Sequence, residues 1–391
     1  MKHRVGFLTT HPIQYQAPVF RHLATLPDLD FTVFFCQLPD ARTQGDGFGT
    51  SFIWDVPLLD GYRYEVLNNV SKHPSVTAFS GCDTPDLHKR IKQGGFDAFV
   101  VNGWVVKSCL QALWACRRSG VPCIVRGEAN NLRPRPWWKR LVQRQLVRRY
   151  SACLYIGNAN ARFYRSYDFP EHLLFPAKYC VDNDRFSTSA EAILQSDARK
   201  SFNLSADSTV FLFSGKLIQK KHPLEFLTAV KNAVQRDANL EVLIVGDGEL
   251  KDACHAFVKE WNLPVTFTGF LNQSKVVQAY VAADCLVLPS DHGETWGLVV
   301  NEAMACGRPA IVSDQVGCSE DLVIPNTTGR IFEFGNWQQL TDILVETAVD
   351  SAWLKTCGAA ARRRIEDYSP EAAARGIAEA VRNLSRKTTV R

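Results

Sequence analysis

No stretch of this sequence approaches the eighteen or so consecutive apolar residues that a membrane-spanning helix requires. The opening "MKHRVGFLTTHPIQ" is basic at its start but has only about six apolar residues before His11 and Pro12, too few for a signal-peptide core. A first β-strand and a cytoplasmic protein are the expectation. Cys-x-x-Cys is missing as well. The twelve cysteines are scattered, mostly in apolar surroundings such as "ADCLVLPS" and "AMACGRPA", which predicts reduced, buried thiols rather than disulfides or a metal site. Glycine-rich phosphate loops are incomplete. "FSGKLIQKKHPLEFL" lacks the spaced glycines and the Gly-Lys-Ser/Thr of a Walker loop, and "IVGDGEL" has Lys251 where a dinucleotide fingerprint needs its third glycine. A nicotinamide-dependent dehydrogenase is disfavoured on that ground. Internal repeats, low-complexity tracts and clusters of metal ligands are not found either.

What remains is an ordinary globular composition: 391 residues, 46% hydrophobic and 22% charged, enough for two or three domains. In the second half, short β-branched or aromatic runs alternate with helical patterns. The strands are expected at 210–215, 240–248, 265–270, 285–290 and 309–314. Several are almost wholly apolar, as strands of a parallel sheet covered on both faces must be. In the first half, "RVGFLTT", "FTVFFC", "YEVL", "DAFVVNGW", "CIVRGE" and "ACLYIGN" read as strands, with helices over 86–93, 107–118, 137–149 and 159–167. The glycine-rich stretch 45–61 reads as a surface loop and "YCVDNDRFSTSAEA" as a polar linker. Ser369 as cap and Pro370 in the first turn start a terminal helix. The expected architecture is α/β: two Rossmann-like, doubly wound parallel-sheet domains facing a cleft. Residues 1–188 form the first and 189–368 the second, with 369–388 packing back toward the first. Ligands in such sheets bind beyond the carboxyl ends of the strands.

Two turns carry the candidate chemistry. After the strand at 210–215 come Gly215, Lys216, Lys220 and Lys221, then a helix near Pro223. These lysines either grip phosphate oxygens or form a solvated basic loop. In "DHGETWGLVVNEAMACGRPA", a helix opening at Gly297 aims free N–H groups and its positive dipole end at whatever lies beyond. Glu294 precedes that opening and Glu302 lies on the helix. As helical rise, the eight residues from one to the other span roughly 12 Å, close to the length of a nucleotide sugar, whose hydroxyls at both ends suit carboxylate acceptors. The plainer alternative is a helix-start acid and an acid on an exposed face.

These residues carry a resemblance. "ETWGLVVNEAMACGRPAIVSD" looks like the E-x7-E signature of family 4 glycosyltransferases, which are retaining enzymes of the GT-B fold. "FSGKLIQKKHPLEFL" resembles that family's Gly-Arg…Lys-Gly loop, with Lys216 replacing the arginine, Lys221 at the lysine and His222 replacing the second glycine. "GDGEL", "VTFTGF" and "ADCLVLPS" follow in the usual order, so the match spans roughly 205–335. It is looser over 1–190, where "HPIQYQAPVFRHL" and "WDVPLLDGYRYEVL" are similar to a bacterial branch with undefined acceptors.

The resemblance implies that Glu294 contacts hydroxyls of a donor sugar and Glu302 the ribose. Gly297, Leu298 and Val299 would offer backbone N–H groups to the diphosphate or sugar beside Gly215, while Lys216 and Lys221 neutralise the leaving diphosphate. Neither metal nor cofactor is implied. The acceptor would be a glycan or a lipid-linked molecule, received with retention of configuration. Where relatives have a glycine-rich turn after the first strand, this chain has "THPIQYQAP", so His11 and Gln14 either shape an acceptor pocket or form a plain loop. In "VRGEANN", Arg126 and Glu128 are site candidates or a structural ion pair. An inactive nucleotide-sugar sensor or scaffold and a sugar-nucleotide epimerase are the alternatives.

Charge is divided unevenly, at +9 for residues 1–190 and −4 for 191–391. The segment 131–149, "NLRPRPWWKRLVQRQLVRR", has seven basic residues and no acid. On a helical wheel Trp137, Trp138, Leu141, Val142 and Leu146 share a side, opposite Lys139, Arg140, Gln143 and Arg144. We expect the apolar side to pack on the domain's own sheet, leaving the basic side for weak attraction to an anionic membrane. Nucleic acid is not expected, because no binding module accompanies the charge.

Overall fold

The computed structural model describes residues 2–38 and 52–389, and its residues divide into two compact units. The first comprises 1–40, 57–181 and 369–391; the second comprises 41–56 and 182–368. The glycine-rich stretch expected as a loop lies outside the described residues up to Ser51.

The first unit holds a seven-stranded sheet: β1 (His3–Thr9), β2 (Leu29–Phe35), β3 (Arg63–Val66), β4 (Ala98–Asn102), β5 (Cys123–Arg126), β6 (Ala152–Tyr155) and β7 (Leu174–Pro176). All neighbours pair in parallel, in the order β3-β2-β1-β4-β5-β6-β7. Alternation along β4 shows why its apolar run is continuous. Phe99 and Val101 enter one core with the helices Lys107–Ser119 and Asn158–Arg165, while Ala98 and Val100 enter another with the helices Ala17–Thr25 and Pro370–Thr389. The terminal helix supplies Ala373, Ala374, Ile377, Ala378, Val381 and Leu384 to that second face. Arg382 donates two hydrogen bonds to Asp28, at 2.7 and 2.9 Å.

The second unit holds six parallel strands, in the order β10-β9-β8-β11-β12-β13. They are β8 (Thr209–Ser214), β9 (Leu240–Val245), β10 (Val265–Gly269), β11 (Cys285–Leu288), β12 (Ala310–Ser313) and β13 (Gly329–Phe332). Phe211, Phe213, Ile244 and Val287 meet Phe226, Leu227, Val230, Leu340 and Leu344 from the helices Pro223–Val234 and Trp337–Ala348. In both sheets the winding direction reverses once, between β1 and β4 and between β8 and β11.

Two local expectations are corrected. The polar "linker" contains a helix, Asn183–Glu191, whose N-terminal N–H of Arg185 is taken by the Asp182 carboxylate, and whose Phe186 is fully buried. One cap and one buried ring outweigh the polarity of the rest. The second correction is the basic helix, observed over Trp137–Val147. Trp137, Trp138, Leu141 and Val142 do not pack on the sheet; all four are exposed, and Val147 is the buried residue of the helix. The cysteines are all free and buried, and no helix among the described residues is long and apolar enough to cross a membrane.

Candidate active site

Within the second unit, β8 and β11 flank the reversal point, and ligands of such sheets bind there, beyond the carboxyl ends of the strands. These segments are 215–222 and 289–297. After β8, Gly215 adopts φ 150° and its carbonyl is approached so closely by Gly246 that a Cβ on Gly246 would stand 1.9 Å from that oxygen. That close approach is what the glycine in "IVGDGEL" is for. Lys216 follows, half-buried, in the same turn. Gln219–Lys221 form one 3-10 turn, and His222 takes the left-handed conformation at φ 49° and ψ 48°. A left-handed backbone is one that glycine adopts freely, and histidine is among the side chains that tolerate it. The His222 ring sits between Phe334 and Trp337, with centroids 4.9 and 5.7 Å away. Its Nδ1 lies 3.1 Å from Glu225 and its Nε2 3.6 Å from Asp291, neither aligned as a hydrogen bond.

Lys221 is buried, and its ammonium pairs with the Glu294 carboxylate. Lys220 approaches the same oxygen, Oε2, at 3.9 Å, and donates to the Gly293 carbonyl at 3.2 Å. Burial pushes the Glu294 carboxyl up, but the charges of Lys221 and Lys220 outweigh it and hold the group below the ordinary carboxylate value. Two residues nominated from separate motifs therefore meet as one ion pair. The loop carrying Glu294 is pinned from below: the Gly317 N–H donates to the Glu294 carbonyl at 3.0 Å and Cys318 N–H to Trp296 at 3.0 Å.

Gly297, at φ 103°, turns the chain into the helix Leu298–Ala305, and a Cβ there would press to 2.8 Å from Leu288. No side chain caps this helix, so the first-turn N–H groups at Leu298 and Val299 keep the orphan character of a helix start. Only residues from 298 onward are helical, so the helical-rise figure for the separation of Glu294 and Glu302 does not carry across the turn. Glu302 is buried in the body of the helix. The Tyr280 hydroxyl donates to it at 2.6 Å, and burial raises its carboxyl above the usual value against the opposing pull of Tyr280, Arg185 and Gln273. Arg185 in turn donates to the Gln273 carbonyl at 2.9 Å.

The first unit gathers a separate polar cluster. Arg126 ends β5 almost fully buried, with its guanidinium 4.9 Å above the Tyr179 ring. Tyr179 hydrogen-bonds Glu128 through its hydroxyl, which also lies 3.0 Å from the Tyr15 hydroxyl. Burial, then the Glu128 charge, push both tyrosines above their ordinary values. Arg126 and Glu128 are thus linked through a shared tyrosine. His11 lies just past β1, its Nδ1 2.9 Å from the Thr10 hydroxyl, and Gln14 is half-buried three residues on. Tyr15, Tyr179, Tyr280, Arg185 and Gln273 escaped the sequence reading because nothing in local spacing marks them.

Burial pushes the His11 imidazole down to about 4. An unfolded histidine titrates near 6.5, so the unfolded chain takes up the proton first as pH falls. Stability from this group is therefore complete above pH ~6.5 and declines down to pH ~4, by about 3 kcal/mol at the foot of that window. Urea unfolding of His11→Gln should show a shallower loss of stability across that range than the wild-type protein; an identical loss would remove His11 as the group responsible.

Comparison with known proteins adds the following. The model of a family described as glycosyl transferases group 1 matches residues 195–364. A GDP-mannose-dependent monoacylated alpha-(1-6)-phosphatidylinositol monomannoside mannosyltransferase from Corynebacterium glutamicum is 27% identical over 192 residues, covering 48% of this chain and 50% of that protein. A lipopolysaccharide 1,2-N-acetylglucosaminetransferase from Salmonella typhimurium is 26% identical over 170 residues, covering 41% and 44%. The chain thus spans half or less of the length of these curated relatives. Among solved structures, a glycosyltransferase from Rickettsia africae has a TM-score of 0.74 at 13% identity, covering 98% of each chain. The Anabaena protein HepE, solved with UDP-glucose, has a TM-score of 0.70 at 18% identity, covering 97% and 99%. At such identities these structures speak to fold alone, and that fold is GT-B.

Proposed function

We propose that this chain is a glycosyltransferase that moves a sugar from a nucleotide-diphosphate donor to a glycan or lipid-linked acceptor, retaining anomeric configuration and using no metal; the match of residues 195–364 to the group 1 glycosyl transferases supports the reading. The observation that carries the reading is the Lys221–Glu294 pair set beside the uncapped start of the Leu298–Ala305 helix. A diphosphate is the ligand that such a pair of features suits: two negative groups that can take N–H donors from the helix start and charge from the lysines. Both lysines approach Oε2 of Glu294, leaving Oε1 for a hydroxyl of the donor sugar. Glu302, oriented by Tyr280, takes the ribose hydroxyls. In support, HepE was solved with UDP-glucose, and the Corynebacterium and Salmonella relatives are named for a phosphatidylinositol mannoside and for lipopolysaccharide.

In the transfer, the bond from the anomeric carbon to the diphosphate oxygen breaks and a bond to the acceptor oxygen forms on the same face. The acceptor's proton passes to the departing phosphate. Lys216 and Lys221 meet the growing negative charge, which is the work a bound cation would otherwise do. In the first unit, Glu128 and Arg126, together with His11 and Gln14, receive the acceptor.

A thermal-shift series with nucleoside diphosphates and their sugars tests this. One nucleotide series should raise the melting temperature, because a ligand at a hundred times its Kd stabilises the native state by about 2.7 kcal/mol. Glu302→Gln should weaken that ligand about tenfold to a hundredfold, the loss of a charged hydrogen-bond acceptor. No shift with any nucleotide would sink the donor assignment.

A further inference from the structure

The helix Trp137–Val147 is turned the wrong way round for a surface helix. Its anchor is Val147, fully buried in the core of the first unit, with Leu146 half-buried beside it. At roughly 100° per residue, Trp138 lies diametrically opposite Val147. The outward arc is therefore the apolar one. Trp137 is 77% exposed, Val142 62%, Trp138 52% and Leu141 49%. Lys139 flanks this arc on one side and Arg144 on the other, whereas Arg140 lies within about 20° of Val147. A helix folded only for its own domain buries its apolar stripe and shows its charges.

Neighbouring elements continue the pattern. Lys139 Nζ lies 5.3 Å above the Trp138 ring. Past the helix, Arg149 covers the ring of Trp114 at 5.6 Å, itself 42% exposed on the helix Lys107–Ser119, and Arg117 donates to the Arg149 carbonyl at 3.3 Å. Seven cations and no acid occur between residues 131 and 149. Arg144 does pair with an acid from outside the segment, Asp168.

We propose that this face docks the protein on the surface of an anionic lipid bilayer, lying in the headgroup layer without crossing it. Adjacent tryptophans suit the boundary between headgroups and acyl chains, and flanking lysine and arginine suit the phosphates above it. A second copy of the chain fits poorly. Pairing two such faces would set the Lys139 and Arg144 of one copy against those of the other, and one eleven-residue helix offers far less than the roughly 800 Å² per partner of a stable dimer. The inference stands on exposure and charge within the first unit and does not depend on the donor or acceptor proposed above.

The test is co-sedimentation of the 391-residue chain with phosphatidylcholine vesicles, with and without phosphatidylglycerol, at low and high salt. Binding is expected to the phosphatidylglycerol vesicles and to fall with salt. Lys139→Gln with Arg144→Gln should lower the partition constant about thirtyfold. Trp137→Ser with Trp138→Ser should abolish binding while leaving the melting temperature and the nucleotide-induced thermal shift unchanged. Protein left in the supernatant, equal binding to pure phosphatidylcholine, or helix variants that bind like wild type would each overturn the proposal. So would binding to the soluble polyanion heparin that the tryptophan variant retains in full, because that would make the site a charge patch for any acidic partner.

Discussion

Replacing Lys221 with methionine should lower kcat by about a hundredfold to a thousandfold, the usual cost of removing one preorganised group that meets charge forming in a transition state. The same substitution should also destabilise the second unit, by up to about 3–5 kcal/mol, because it leaves the buried Glu294 carboxylate with only Lys220, 3.9 Å from its Oε2. The side chains of Lys221 and Glu294 are only 11% and 14% exposed, so solvent offers little relief. The two effects can be separated. Adding Glu294→Gln removes the stranded charge, so the double variant should recover most of the lost stability in a urea titration and remain inactive. A single variant with wild-type turnover would exclude Lys221 from the chemistry. Proton linkage points the same way in the wild-type protein. Because pairing holds the Glu294 carboxyl below its ordinary value, the pair contributes fully above the ordinary carboxylate range, and its contribution is lost as pH falls through the depressed folded value.

Asp284→Ala should cost about 3–5 kcal/mol of stability without touching the proposed site, since it strands a buried guanidinium. Asp284 stands just before β11 and joins three elements. Its carboxylate takes Nη2 of Arg199 at 2.5 Å, the Val210 N–H of β8 at 2.8 Å and the Gln195 amide at 3.0 Å. Arg199, on the short helix Gln195–Ser201, also donates to the carbonyls of Ala282 and Ala206, at 3.1 and 2.8 Å. Those carbonyls satisfy the hydrogens of Arg199 but not its charge. Asp284→Asn, which keeps an acceptor oxygen, should cost less than the alanine variant. Urea unfolding read by tryptophan fluorescence decides the point, and a loss below about 1 kcal/mol would mean the pair behaves as a surface ion pair.

Much of the scaffold was legible because apolar runs between turn signals mark parallel strands well. The two strands that escaped, β7 and β13, have three and four residues, and both lie at the edge of a sheet. Short edge strands need fewer apolar residues, so they leave a fainter trace. The wheel drawn for 137–149 gave the right apolar arc but the wrong direction for it. A wheel ranks faces by composition, and here a single residue, Val147, decides which face turns inward. Lys221 and Glu294 could be nominated because turns that follow strands are few. Their union in one ion pair could not, being a matter of two loops meeting. The tyrosines were hidden by distance along the chain. Tyr280 lies 22 residues from Glu302, Tyr179 lies 51 from Glu128, and Tyr15 lies 164 from Tyr179.

The terminal helix bears on how the protein is made. Val5, Phe7, Val100, Ile124 and Leu154 share a core with Ala374, Ile377 and Val381. The helix Ala17–Thr25 covers part of that face, and during translation the rest stays open to water until residues 370–384 have left the ribosome. By then all of the intervening second unit has been synthesised. The nascent chain carries a long-lived greasy surface, and the half made first is completed last.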